Sequence, residues 1–164
     1  MVDSILGLFT GKTIPPEVII FLISMLPILE LRGGLIAAAL LGVKWYIAFP
    51  ICFLGNILPI PFILLFFKKI LALLKRTKLF GRLADKIEKK VMKKSKKLDT
   101  AKSLSLLLFV GIPLPGTGGW TGAMVAEILD MRIKKSFPVI AAGVFLAGVI
   151  MITLTYFFPG LFGF

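Results

Sequence analysis

Glu30 and Arg32 stand two residues apart inside an apolar stretch, 16–43, that is broken at "PILELRGG" (27–34). A second broken stretch, 103–129, carries "PLPGTGG" (113–119), then Trp120, and later Glu127. A charge inside a bilayer costs at least about 2.5–3.5 kcal/mol on insertion scales, so such residues face a polar cavity or each other. A carboxylate there can carry a proton or hold a cation. A guanidinium grips a phosphate through two parallel hydrogen bonds. A Gly-rich turn ahead of a helix offers free N–H groups and the positive end of the helix dipole, which together make an anion site. The candidate substrate-binding residues are therefore Arg32, Glu30, Thr117, Gly118, Gly119 and Trp120, with Glu30 and Glu127 as candidates for ion or proton coupling. Each also has a plainer reading. Glu30 and Arg32 can be an ion pair that holds a tip, Glu127 can snorkel toward the nearby "DMRIKK", and Trp120 can be packing. Asn56 can bond across helices or be merely structural, and Asp130 can pair with Lys134 at i+4.

The elements that must position these residues are those of an all-α integral membrane protein. The 164 residues are 58% hydrophobic with a mean hydropathy of +0.99, which fits one membrane domain spanning 1–164. Cys52 is the sole cysteine and there is no histidine, so a disulfide framework and a Cys/His metal site are excluded and no metal or cofactor is expected. Cys52 reads as a small packing residue. No nucleophile with its base and no Walker-type loop is present, so an enzyme is not expected. The N-terminal 1–18 places Asp3 before any positive charge and does not read as a signal peptide.

The net charge of +12 is concentrated: 14 of the 20 Lys and Arg fall between Lys68 and Lys102, against Asp85, Glu88 and Asp99. By the positive-inside rule the loop 75–102 is cytoplasmic. Phe80, Leu83, Ala84, Ile87 and Val91 recur in it at helical spacing, with lysines between. That pattern reads as a basic amphipathic helix on the anionic inner leaflet. No aromatic residues interleave for base stacking, so nucleic acid is not an expected partner.

Shifting the sequence by 88 residues lays Leu26 on Leu114, Pro27 on Pro115, Gly34 on Gly122, Lys44 on Arg132, Pro50 on Pro138 and Gly55 on Gly143 without a gap. This order predicts two copies of one unit, about 16–74 and 103–158, each a broken stretch, a basic turn and a long apolar helix. The long stretches, about 46–74 and 137–158, are long enough to cross a bilayer, with Pro50, Pro59, Pro61 and Pro138 kinking or starting them. The broken stretches either cross once or dip in and return. If they crossed, "MRIKK" (131–135) would lie opposite the basic loop, so the positive-inside rule favours re-entrant hairpins. Arms of about 10–12 residues rise roughly 15–18 Å, half the hydrocarbon thickness. The two units are then inverted repeats whose Pro- and Gly-rich tips meet at mid-membrane.

At "LPILELRGGLIAAALLG" and "GIPLPGTGGWTGAMVAEILDMRIKKSFP" the chain resembles the small multidrug export family over nearly its whole length. More distantly, its order of elements resembles the DedA (VTT-domain) superfamily. That resemblance implies re-entrant hairpins and, for some members, proton- or cation-driven movement of lipid or polyprenyl-phosphate head groups. An acidic residue in the first hairpin matches Glu30. The Arg expected near the second hairpin's Pro is absent, since Val110, Gly111 and Ile112 precede Pro113, and Arg32 supplies it from the first hairpin. The leading expectation is an inner-membrane transporter of an anionic lipid head group, coupled to protons or cations. In it Arg32 and the amides of 117–119 bind the head group. Membrane lipids and a second copy in a homodimer are its expected partners. The second is a proton-coupled exporter of lipophilic cations that bind Glu30 against Trp45, Trp120 and phenylalanines. The third is a non-transporting scaffold recruiting partners through 79–97.

Overall fold

The computed structural model describes residues 14–75 and 97–158. The basic amphipathic helix expected around 79–97, and most of the N-terminal 1–18, lie outside the described residues. Among the described residues seven α-helices follow one another: α1 Pro16–Met25, α2 Glu30–Leu40, α3 Trp45–Ile57, α4 Ile60–Lys75, α5 Lys97–Gly111, α6 Gly119–Ile128 and α7 Ile133–Ile152, which runs into a π-helical turn, Thr153–Phe157. Among the described residues there is no strand.

The proline pattern explains most of the boundaries. Pro15 and Pro16 open α1, where a missing N–H costs nothing. Leu58 and Pro59 form the break between α3 and α4, where Leu58 keeps helical dihedrals (φ −56, ψ −44) and Pro59 lacks the N–H that would continue the hydrogen-bond ladder. Pro50 and Pro138 instead sit inside α3 and α7. Two stretches, Trp45–Phe66 and Ile133–Phe157, are long and apolar enough to cross a membrane. Their exteriors carry exposed Leu54, Phe62, Leu65, Phe66, Phe145 and Val149, whereas Ser24, Glu30, Asn56, Glu127, Ser136 and Thr155 are buried. This inside-out distribution is what a lipid solvent selects.

The 88-residue offset recurs in the backbone. α2 and α6 occupy equivalent positions, as do the starts of α3 and α7. The turn after α2 places Gly42 at φ +70 and the turn after α6 places Asp130 at φ +51, again 88 residues apart. The same hydrogen bond closes both turns, from Val43 N to Ala38 O (2.8 Å) and from Met131 N to Ala126 O (2.9 Å). Lys44 and Arg132 then lead into the next helix with nearly identical extended dihedrals.

Within each half the first two helices fold back on one another. A Cβ on Gly34 of α2 would fall on the Ser24 hydroxyl of α1 and 2.9 Å from Cys52 Sγ of α3. A Cβ on Gly122 of α6 would fall on Val110 of α5. Small residues thus let three backbones approach closely, which is how helices associate where the solvent offers no hydrophobic drive. Lys102, early in α5, reaches the end of α6 and donates to Leu129 O at 3.0 Å, so both arms of the second pair start and finish side by side. Phe49, Phe53 and Phe145 form an aromatic cluster between α3 and α7, with ring centroids 5.3–6.2 Å apart.

Candidate functional site

The segments linking α1 to α2 and α5 to α6 meet each other, and the candidate residues stand where they touch. In the second segment, Leu114, Pro115, Gly116 and Thr117 form a tight turn closed by Thr117 N donating to Leu114 O at 3.2 Å. Gly116 has φ +82 behind a proline, the pattern of a type II turn. Thr117 Oγ1 lies 2.9 Å from both Ile112 O and Leu114 O, bracing the turn from within.

α6 then begins at Gly119 with Gly118 as its cap, and glycine has no side chain to satisfy the first amides. The missing acceptor arrives from the other half of the chain. Glu30 Oε2 accepts from Gly119 N at 3.0 Å and Oε1 accepts from Trp120 N at 3.1 Å. A carboxylate at a helix N-terminus also gains from the helix dipole. Each bond to a charged group contributes about 1.5–3 kcal/mol. Glu30 is only 6% exposed, and its backbone sits at φ +50, where side chains other than glycine are strained. Gly118, equivalent to Glu30 under the 88-residue offset, has φ +154. A Cβ there would occupy the position of the Glu30 carboxylate.

Arg32 lies two residues further along α2 and reaches across to the same turn. Its guanidinium donates to Leu114 O, to Ile112 O at 3.3 Å and to Thr117 Oγ1 at 3.0 Å. Glu30 and Arg32 therefore do not form a closed ion pair with each other. The carboxylate takes the donors of the opposite tip and the guanidinium takes its acceptors.

Of the candidates, the structure brings Glu30, Arg32, Thr117, Gly118, Gly119 and Trp120 together. Trp120 contributes its backbone N–H, while its buried indole N–H has no hydrogen-bond partner among the described residues. Glu127 is not in the cluster: it is buried at 7% exposure rather than snorkelling, and lies about 12 Å of helix rise beyond Gly119. Cys52 is buried and free. No group of three or more His, Cys, Asp or Glu that could hold a metal occurs among the described residues.

Two features were not assigned to the site from sequence. Asn56 of α3, 2% exposed, hydrogen-bonds the Glu30 carboxyl through its side chain. Its Oδ1 has no partner among the described residues and stands 2.8 Å from where a Gly119 Cβ would be. The second is the role of the carbonyls of Ile112 and Leu114 as acceptors for Arg32. Glu30, Arg32, Asn56, Gly118 and Gly119 together line a cavity of about 10 Å³, room for no more than about one water. The site is closed, and the anion that its amides hold is the chain's own.

No curated protein and no solved structure matches the chain. A family model described as "Putative small multi-drug export protein" matches residues 30–150, which begin at Glu30 and include every residue of the cluster. The match names that family and does not extend to DedA proteins. With two helices fit to span a bilayer and this match over most of its length, the chain is a membrane protein that belongs to the small multi-drug export family.

Proposed function

We propose that the protein is a multi-pass inner-membrane transporter in which the two tips form an anion cradle, with Glu30 as its resident, proton-carrying ligand. One observation carries the reading: the Glu30 carboxylate occupies the N-terminal amides of α6 while Arg32 clasps the turn before it. Protonating Glu30 removes the charge that those amides favour and unlatches one tip from the other. An anionic head group, a phosphate above all, can then take the vacated amides with Arg32 beside it. Asn56 suits both states, since its amide can donate to the carboxylate or, turned over, accept from the protonated acid.

Each fold-back pair is read as a re-entrant hairpin and the two halves as inverted repeats. The support lies in arms of 10 and 11 residues in the first pair, in the Lys102 contact to Leu129, and in the touching of equivalent positions 30 and 118. A homodimer would complete the enclosure that so short a chain lacks. A second reading, export of a lipophilic cation bound by the released Glu30, is favoured by the family description. The adjacent Arg32 charge opposes it.

Two outcomes are expected. In a Cys52→Ser background, single cysteines at Lys44 and Lys134 should react with a membrane-impermeant thiol reagent from opposite sides, Lys44→Cys outside and Lys134→Cys inside. Labelling of both Lys44→Cys and Lys134→Cys from the outside means that the broken stretches span. In reconstituted liposomes, transport by the wild type should respond to an imposed pH gradient. Glu30→Gln should work without regard to it, because an amide cannot release a proton. A Glu30→Gln variant that still follows the gradient rules Glu30 out as the proton carrier.

A further inference from the structure

A second cavity, of about 780 Å³, opens far from the tips, where the start of α3 meets the π-helical turn. Its size is that of a site for a ligand rather than for water. Val43, Lys44, Trp45, Tyr46, Thr155 and Tyr156 line it, and no Asp or Glu does among the described lining residues. Trp45 begins one apolar span and Tyr156 lies near the end of the other. The Tyr156 hydroxyl donates to Val43 O at 2.8 Å, tying the two ends together. The cavity therefore sits at one boundary of the apolar region, the depth at which Trp, Tyr and Lys meet lipid head groups.

One group in it lacks what its chemistry calls for. Thr153 makes the usual helical bond to the carbonyl four residues back, Val149 O, at 2.9 Å. Thr155 does not: it is 2% exposed and its hydroxyl has no partner among the described residues, although it lines the cavity. Lys44 is exposed, with its ammonium 5.8 Å from the Tyr46 ring centroid. The π-helical turn contributes to this, placing the successive Thr155 and Tyr156 on the same wall.

We propose that this cavity binds the anionic phosphate head group of an amphiphile, with Lys44 and the Thr155 hydroxyl on the phosphate and Trp45 and Tyr46 against the apolar part below it. The source is either a phospholipid of that leaflet or a soluble phosphate ester. The site is independent of the tip cradle.

The test is native mass spectrometry of the purified full-length protein, titrated with short-chain phosphatidylglycerol, phosphatidylcholine or glycerol phosphate. Phosphatidylglycerol should bind more tightly than phosphatidylcholine. Lys44→Gln should weaken it about fivefold, the effect of one lysine charge near an anionic surface. Thr155→Val, close in shape, should weaken it as well, and Lys44→Arg should retain it. Arg32→Gln should leave the Lys44-dependent part unchanged, which separates this site from the cradle. Binding of glycerol phosphate that is also lost in Lys44→Gln assigns the site to soluble esters, and binding of the lipid alone assigns it to the leaflet. Phosphatidylglycerol affinity unchanged in both Lys44→Gln and Thr155→Val overturns the proposal. Should Lys44→Gln fail to fold, Thr155→Val decides.

Discussion

Arg32→Gln is expected to insert into the membrane yet lose nearly all transport, while Arg32→Lys keeps a minor fraction. Arg32 satisfies Leu114 O, Ile112 O and Thr117 Oγ1 at once with one planar group. Lysine offers a single ammonium and cannot present the same fork. Glutamine removes the charge that a phosphate would meet and the fork that ties the turn to α2, while Leu114 O and Ile112 O are exposed and keep their bonds from within the turn. That loss falls on the turn and not on the spans, so insertion and helical content should survive. Initial transport rates in liposomes, alongside circular dichroism of the same preparations, check both halves of the expectation. Equal rates for Arg32→Gln and wild type would remove Arg32 from the site.

Gly118→Ala should be nearly as damaging, for a steric reason. The φ of +154 belongs to a region of backbone space that is essentially restricted to glycine, at a cost of about 1–3 kcal/mol for other residues. The new methyl would also occupy the space of the Glu30 carboxylate. Either the carboxylate leaves the amides of Gly119 and Trp120 or the tip changes shape. Gly116 provides the control. It has φ +82, but nothing lies within 4 Å of its would-be Cβ, and asparagine tolerates left-handed backbone better than other side chains. Gly116→Asn should therefore retain most of the transport and thermal stability that Gly118→Ala loses. Equal tolerance of both substitutions would mean that the close approach of the tips is dispensable.

These two substitutions also mark how far the sequence could be read. The breaks were legible at Pro27 and at 113–118, where prolines and glycines cluster, but Glu30–Gly34 is already helix, and Pro50 and Pro138 sit inside helices, because a single proline or glycine can be carried by the packing around it. The equivalence of Lys44 with Arg132 was legible because a turn repeated in sequence repeats its dihedrals. Arg32 reaching the opposite Gly-rich turn also followed, since a guanidinium in an apolar stretch needs acceptors and an irregular turn supplies them. What sequence could not supply was the identity of the anion on the α6 amides. A glycine turn before a helix announces free donors, not which acceptor fills them, and Glu30 is 89 residues from Gly119. The 88-residue offset held a signal for this, because positions 30 and 118 are equivalents and equivalents meet where two related halves join. Asn56 is harder to find. Its place at the carboxylate depends on the rotation of α3 about its axis, fixed by Gly55 packing 2.6 Å from Phe21 O as measured from a built Cβ. Glu127 lies on the helix whose N-terminus builds the site, yet falls outside it, since helix rise rather than helix membership sets reach.

The central claim is that the cradle takes an anion in place of Glu30. It is tested most directly by comparing, in the same liposomes, transport of a phosphate-headed lipid probe and of a lipophilic cation by wild type, Glu30→Gln and Arg32→Gln. The account predicts that the phosphate probe moves, that Arg32→Gln stops it, and that Glu30→Gln frees it from the pH gradient. Movement of the cation alone, lost in Glu30→Gln and indifferent to Arg32→Gln, would contradict the account and leave the protein an exporter of cations.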